Sequence, residues 1–372
     1  MKKKTCTWLD SNIWGALHII NDQVQACCPR CALLIDKISL DKLSVLDIQK
    51  ARRDFFEGIN NGEIKTCEEC PFLIEKEEDD IEVGSIESLI LHPYTTCNIH
   101  CNYCVLSEEK LKAKLSESQR EIFPIIEKFY NDKLFKQKFS IALGGGEPLF
   151  INDLDKIARF LNNVEEQTEL TLISNSTLTN RIDYVISSLS DTPKLIKTCN
   201  TSLDSGTKET YKKLKNRDFF NEVCLNLKKY AENNVFDTMI LKYVMMNDNS
   251  NISKKDLNGF INFIKELKQI TKSKLVIIID ADMKIQKNTK DYFKQDEEFK
   301  YHHLSWKQVN AAAYLYYKLS KIATINFVGG RINPERSKTG ALDVKKIIKQ
   351  AKKYEKKSLY FAIIKLVSGC KS

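Results

Sequence analysis

The sequence predicts an α/β chain whose body is an open, partial barrel of six βα units. Two observations carry that expectation. From Ser88 to Asp280, short apolar runs of strand length alternate with amphipathic stretches of helical period. Strands that alternate with helices pair in parallel through crossovers rather than as hairpins. A third observation bears on use. The residue types able to do chemistry gather at the C-terminal ends of the apolar runs, where barrels of this kind keep their active sites.

The expected strands are Ser88 to Tyr94, Phe139 to Leu143, Leu170 to Ser174, Ile196 to Leu203, Met239 to Met246 and Lys274 to Asp280. Between them the helical period runs over Glu117 to Asn131, Leu154 to Asn163, Arg181 to Leu189, Thr207 to Asn233 and Lys254 to Lys268. Asn152 and Thr207 are the right residue types to cap two of these helices. The acidic run from Glu75 to Glu82 reads as an exposed connector. It divides the chain into a cysteine-rich N-terminal module (1–82), the barrel (83–285) and a C-terminal extension (286–372). In the extension, Trp306 to Ile322 and Val344 to Val367 read as helices around a short strand, Thr324 to Val328.

The chain of 372 residues carries a formal charge of +9, which resembles a nucleic-acid binder until it is located. Twelve basic and three acidic residues lie between Arg331 and Ser372, so the rest of the chain is neutral. A lysine-studded surface helix accounts for this, and nucleic acid is not an expected partner. No apolar run is long enough to span a bilayer, and the polar residues Asp10, Ser11 and Asn12 interrupt anything that could serve as a secretion signal. The expected location is the cytoplasm.

In that setting, twelve cysteines point to metal rather than to disulfides. Three stand in Cys97-Asn-Ile-His-Cys101-Asn-Tyr-Cys104, after the first strand. Three thiolates leave one iron of a cubane open to a small ligand. With His100 the same loop could instead complete a zinc site, so both readings stand on spacing alone. After the second strand comes Gly144-Gly145-Gly146-Glu147-Pro148, in which glycine allows backbone to approach a ligand and a carboxylate could hold an ammonium.

Over roughly Ser88 to Asp280 these motifs resemble the radical S-adenosylmethionine (SAM) superfamily. The resemblance implies a partial (β/α)6 TIM-type barrel. It also implies a 4Fe–4S cluster on Cys97, Cys101 and Cys104, and SAM bound at the open iron. Tyr103 would then pack near the adenine, and the Gly144–Glu147 segment would take the amino group of the methionine. Ser174 and Asn175, with Ser202 and Asp204, would reach the carboxylate and ribose, and Lys242 and Asn247 would approach the adenosine. The implied chemistry is reductive cleavage of SAM to a 5′-deoxyadenosyl radical that takes hydrogen from a substrate. An electron donor such as flavodoxin or ferredoxin would supply the electron.

Three further readings remain. Asp280 and Asp282, of like parity at the last strand end, suit substrate binding or proton transfer, and suit helix capping equally well. Alternation along the fourth strand turns Cys199 toward the helices as a packed core thiol. The N-terminal cysteines resemble a twitch or SPASM-type module holding a second 4Fe–4S cluster, with Cys6, Cys27, Cys67 and Cys70 as its ligands. A structural zinc on Cys28, Cys31, Cys67 and Cys70 is the competing assignment. The expected substrate is a sugar or other small metabolite, oxidised or epimerised. A ribosomal peptide is the alternative.

Overall fold

The computed structural model describes residues 1–20, 23–27, 33–67, 70, 73–92, 96–104, 121–246, 248–281 and 306–327. Asn247, Asp282, Cys28, Cys31, the expected helix Val344 to Val367 and the basic segment from Arg331 lie outside the described residues.

The N-terminal region holds β1 (Lys2–Cys6), β2 (Ala16–Ile20), β3 (Gln23–Gln25), β4 (Leu33–Ile35), α1 (Val45–Asn60) and β5 (Leu73–Glu77). β1 and β5 form an antiparallel ribbon in which Lys2 faces Glu77 and Lys4 faces Glu75. Opposite charges directly across two strands favour pairing. The first half of the acidic run is therefore a strand, not a connector.

The barrel follows with β6 (Ile86–His92), α2 (Phe123–Asn131), β7 (Phe135–Leu143), α3 (Leu154–Asn163), β8 (Gln167–Ile173), α4 (Ile182–Ser190) and β9 (Ile196–Ser202). Then come α5 (Lys208–Lys215), α6 (Phe220–Glu232), β10 (Thr238–Met245), α7 (Lys254–Ile270), β11 (Lys274–Ala281), α8 (Trp306–Leu319) and β12 (Thr324–Phe327). All six expected strands are present and pair in parallel in chain order. The sheet extends further at both edges. β2 adds in parallel beside β6, with β3 and β4 antiparallel beyond it, and β12 adds in parallel beside β11. The order across the sheet is β12-β11-β10-β9-β8-β7-β6-β2-β3-β4, an open α/β sheet.

Strand period sorts the two faces. Leu89, Leu91, Ile141, Leu170, Cys199, Leu241 and Ile277 are buried on the face that packs against the helices. Cys199 is a core thiol there, as expected, and burial pushes it up to about 11. The alternate positions, among them Ser88, Ser140, Thr198, Asn200 and Lys242, line the inner face.

Local signals explain the helix ends. Ser44, Thr207 and Ser253 each accept a hydrogen bond from the backbone of their own first turn. Asn152 does not cap α3. Asp153 occupies that position and spends its carboxylate on the N–H groups of Ile122 and Phe123 at the entry to α2, at 2.6 and 2.7 Å. The long helix expected over Thr207 to Asn233 is two helices, because Asn216 turns left-handed (φ 52°) and ends α5.

One close approach fixes α7 against the end of β9. A Cβ on Gly206 would lie 1.9 Å from the carbonyl oxygen of Asp256, and one on Gly259 would lie 2.0 Å from that of Gly206. Backbone cannot yield as a flexible side chain can. Gly259→Ala is therefore expected to cost roughly 2–3 kcal/mol, read as a lower midpoint in denaturant with an unchanged slope.

Candidate active site

The loop carrying Cys97, Cys101 and Cys104 follows β6 and leaves all three thiols partly exposed and without disulfides. It is pinned at three places. Thr96 accepts from the N–H of Glu147 at 2.8 Å, joining it to the glycine loop. Asn98 donates to Thr177 and accepts from the Asn175 amide, at 2.6 and 2.8 Å. The N–H groups of His100 and Asn102 donate to the carbonyls of Lys215 and Leu214, and the Asn102 amide donates to that of Lys213. A helix ends with carbonyls that have no partner in the helix, and here the cysteine loop supplies the donors for α5. Asn216 closes this contact by donating to the carbonyl of His100 and to the side chain of Asn102.

The Gly144–Gly146 turn stands beside this loop at the end of β7. Gly145 has φ 97°, a conformation glycine adopts without strain, and a Cβ on Gly144 would lie 2.9 Å from His92 Nε2. Glu147 is completely buried. Its carboxylate accepts from the N–H of Leu149 (3.0 Å), the Ser174 hydroxyl (2.7 Å) and the N–H of Asn175 (2.8 Å). These bonds fix the carboxylate against the neighbouring strand end, beside the backbone of the glycine turn. Asn175 also donates to Cys97 Sγ at 3.5 Å, a contact suited to a thiolate.

Asp204 is engaged by the protein in the same way. It is fully buried and left-handed (φ 61°). Its carboxylate pairs with Lys215 Nζ at 2.6 Å, accepts from the N–H of Val244 at 2.8 Å and accepts from the Tyr103 hydroxyl. Lys215, equally buried, also donates to the carbonyl of Ser202 and to the hydroxyl of Tyr103, and lies over the Tyr103 ring. Burial, and next the Asp204 charge, raise the Tyr103 phenol well above its ordinary range. Sequence reasoning missed Lys215, which reads as one more lysine in a basic helix end. Its only signal is its helix face, one turn beyond the buried Tyr211.

Ser202 and Lys242 are register partners on β9 and β10, half-buried on the inner face. Asp280 stands beside Val244 on β11. Deeper on the same face, Glu169 accepts from Thr198 at 3.1 Å. β2 and β3 add residues that sequence reasoning overlooked. His18 pairs with Ile90 of β6 and Gln25 of β3, so the three side chains share one face. His18 Nε2 lies 3.3 Å from His92 Nδ1. His18 Nδ1 and Gln25 Oε1 are buried without a partner, as is Asn200 Oδ1.

The N-terminal thiols also converge. Cys27 and Cys67 are buried with Leu9, Ala26, Phe55 and Ile59, and Cys6 packs against this cluster. The N–H of Cys70 donates to the carbonyl of Cys67 at 3.0 Å. Burial raises the Cys6 thiol, and Cys27 and Cys70 lie near enough to push it in the same direction. Among the described residues, no three His, Cys, Asp or Glu side chains are drawn tightly enough around one point to hold a single ion.

The model of the radical SAM superfamily matches residues 91–254, the stretch that holds the cysteine loop, the glycine turn and the Asp204 strand end. Residues 91–254 match as a radical SAM superfamily domain. The cofactors of that superfamily are a 4Fe–4S cluster and SAM, and the three thiols of the loop, none in a disulfide, suit such a cluster together with the neighbouring amide donor. GTP 3′,8-cyclases of Clostridium botulinum, from strains Hall and Okra among others, are 23% identical over 172 residues, 46% of this chain and 50% of theirs. The chain thus spans about half the length of these curated relatives. Among solved structures it is similar to Streptococcus suis SuiB, with TM-score 0.42, 15% identity, and coverage of 76% of this chain and 61% of that one. It is also similar to anSMEcpe with bound AdoMet and Cp18Cys peptide, with TM-score 0.42, 16% identity, and coverage of 64% and 62%. Among the described residues no helix is long and apolar enough to cross a membrane.

Two outcomes follow from the buried groups. Lys215→Met leaves the Asp204 carboxylate buried without its cation, and should cost about 3–5 kcal/mol in chemical denaturation. Adding Asp204→Leu should recover part of that loss, because no buried charge then remains. Burial lowers His18 from 6.5 to about 4. Between those values the unfolded chain binds more protons than the folded one, so stability is complete above pH 6.5 and is lost as pH falls toward 4. The loss amounts to about 3 kcal/mol, and His18→Phe should flatten that limb of the stability–pH curve.

Proposed function

We propose that this enzyme cleaves SAM reductively at the Cys97, Cys101 and Cys104 loop and removes hydrogen from a small polyhydroxylated metabolite, such as a sugar, in an oxidation or epimerisation. The observation that carries the substrate class is the inner face of the sheet. Hydrogen-bonding side chains line it from Ser88 and Ser140 up to Ser202 and Lys242, and His18, Gln25 and Asn200 there each hold a buried polar atom without a protein partner. A ligand rich in hydroxyls would satisfy such groups, whose desolvation otherwise costs about 1–3 kcal/mol each.

When bound, the cluster and SAM supply a one-electron cleavage strong enough to activate an unreactive C–H bond, with the electron drawn from a flavodoxin- or ferredoxin-type donor. The protein's own work is placement. Cys97, Cys101 and Cys104 would hold the cluster, with the Asn175 amide donating to Cys97. The Gly144–Gly146 backbone would receive the methionine end of SAM, braced from behind by Glu147. Tyr103 would sit on the adenine side, fixed by Asp204 and Lys215. Ser202 and Lys242 stand on the rim between SAM and substrate, and Asp280 faces the same space as a group able to bind substrate or move a proton. The N-terminal Cys6, Cys27, Cys67 and Cys70 would hold a second 4Fe–4S cluster, a reading supported by the packing of Cys6, Cys27 and Cys67 in one apolar cluster and by the backbone bond from Cys70 to Cys67.

Anaerobically reconstituted protein should cleave SAM to methionine under dithionite, and the Cys97/Cys101/Cys104→Ala variant should lose that activity while keeping about four irons. A low-molecular-weight extract of host cells should accelerate the cleavage. Periodate, which destroys vicinal diols, should abolish the acceleration, and protease should leave it intact. Acceleration sensitive to protease instead would replace the metabolite with a peptide substrate.

A further inference from the structure

β2 runs parallel to β6 with His18 beside Ile90, which sets His18 and His92 diagonally across the two strands on the inner face. The imidazoles meet edge to face, with centroids 4.6 Å apart and His18 Nε2 3.3 Å from His92 Nδ1. His18 is 4% exposed, and its other nitrogen, Nδ1, has no partner among the described residues. Gln25 Oε1, buried opposite it on β3, is unpartnered as well and so accepts nothing from Nδ1. His92 is half-buried at the end of its strand, and its far edge lies against the glycine turn. A Cβ on Gly144 would stand 2.9 Å from His92 Nε2 and 3.1 Å from its Cδ2, so glycine at 144 is what admits the ring.

Two neutral imidazoles joined nitrogen to nitrogen have two proton arrangements. In the first, His92 Nδ1–H donates to His18 Nε2. The proton of His18 then sits on Nδ1, a buried donor with nothing to accept it. In the second, His18 Nε2–H donates to His92 Nδ1. That leaves His18 Nδ1 a bare acceptor and puts the proton of His92 on Nε2. Protonation of His92 would recreate the orphan donor on His18, because both nitrogens of His92 would then donate. Buried N–H groups without an acceptor are rarer in folded proteins than acceptors without a donor, which selects the second arrangement. It also leaves His18 Nδ1 able to accept from a substrate hydroxyl.

We infer that His18 locks His92 in the tautomer that presents Nε2–H beside the glycine turn, and that His92 is a further SAM-binding residue whose Nε2–H donates to the methionine carboxylate. This rests on the proposal that the Gly144–Gly146 backbone receives the methionine end of SAM. That end carries an ammonium and a carboxylate, and an N–H can serve only the carboxylate. Hydrogen bonds to an ionised acceptor are stronger than neutral ones, so the contact bears on affinity. Toward SAM, His18 is a positioning residue, because the hydrogen bond made at one nitrogen of an imidazole decides what the other can do.

The test uses full-length protein, reconstituted anaerobically and left unreduced so that SAM binds without turnover. Equilibrium dialysis against labelled SAM gives the dissociation constant. His92→Leu removes the donor and should weaken SAM about tenfold or more, whereas His92→Gln, whose amide nitrogen stands near the place of Nε2, should stay within about threefold. For decarboxylated SAM, which lacks the acceptor, the loss in His92→Leu should be smaller by about threefold or more. His18→Leu releases the tautomer and should weaken SAM about threefold, and His18→Gln should bind as the parent does. In protein carrying nitrogen-labelled histidine, long-range proton–nitrogen correlations report which nitrogen of each ring is protonated, and His18 and His92 should both carry theirs on Nε2. A parent that binds SAM no better than His92→Leu overturns the inference and leaves the reading of the turn intact. An equal loss for the two ligands also overturns it, since the ring then only braces the turn. If His92→Leu does not fold, His92→Asn takes its place, because its amide nitrogen falls short at the place of Nδ1. A proton on Nδ1 of His92 in the parent overturns the inference whatever the variants do. His18→Leu with parent affinity and an unchanged His92 tautomer overturns the positioning role. A parent that binds no SAM overturns the underlying reading along with the inference.

Discussion

The buried Asp204–Lys215 pair is the constraint on which the rim of the barrel depends. Asp204 ends β9 in a left-handed turn, and its two oxygens reach in different directions. One accepts the N–H of Val244 in β10, and the other takes Lys215 and Tyr103. One carboxylate therefore ties together two strands, the end of α5 and the loop that carries three of the cysteines. A charge pair in a dry interior contributes little net stability compared with apolar packing, but it tolerates few alternative geometries. That suits a loop that must present three thiols in a fixed arrangement. The carbonyls at the end of α5 extend the same bracing, since they need donors and the cysteine loop provides them.

The N-terminal region is bound into this arrangement rather than appended to it. β2 is hydrogen-bonded to β6 along its whole length, and Arg52 gathers carbonyls from the entries to both strands. Separation of 1–82 from the barrel would strip β6 of its neighbour and leave a row of unpaired backbone groups. It would also remove His18 from His92, and His92 from its support beside the glycine turn. Placement of the second thiol cluster is thus coupled, through a few covalently short steps, to placement of the first.

Most of the barrel was legible because its signals are local and repeated. An aliphatic run such as Leu275 to Ile279, set between helical stretches, reads as a strand, and Thr207 announces the helix that it caps. The cysteine and glycine motifs were legible because their spacing is local as well. What escaped depends on tertiary pairing. β2 is five residues long and has no helix after it, so nothing in its neighbourhood marks it as the eighth strand of a parallel array. The break at Asn216 was masked by good helix formers on both sides. Lys215 and Arg52 look like ordinary surface cations until the fold surrounds them, because burial of a charge is a property of its partners and not of its own sequence context.

The same reasoning separates the fixed part of the site from the variable part. With the carboxylates of Glu147 and Asp204 spent on the protein, what faces the ligand at this rim is mainly backbone from the glycine turn and the loop. Backbone groups neither titrate nor change with substitution, so recognition built from them suits a cofactor that does not vary. Side chains with uncommitted polar atoms lie elsewhere on the sheet, at His18 and Gln25 on the adjoining β2 and β3 and at Asn200 on β9. Side-chain identity is what distinguishes one substrate from another, because a site built to hydrogen-bond a ligand penalises any ligand that leaves those groups unpaired. Under the proposed function, specificity would then be carried by these side chains of β2, β3 and β9 rather than by the glycine turn.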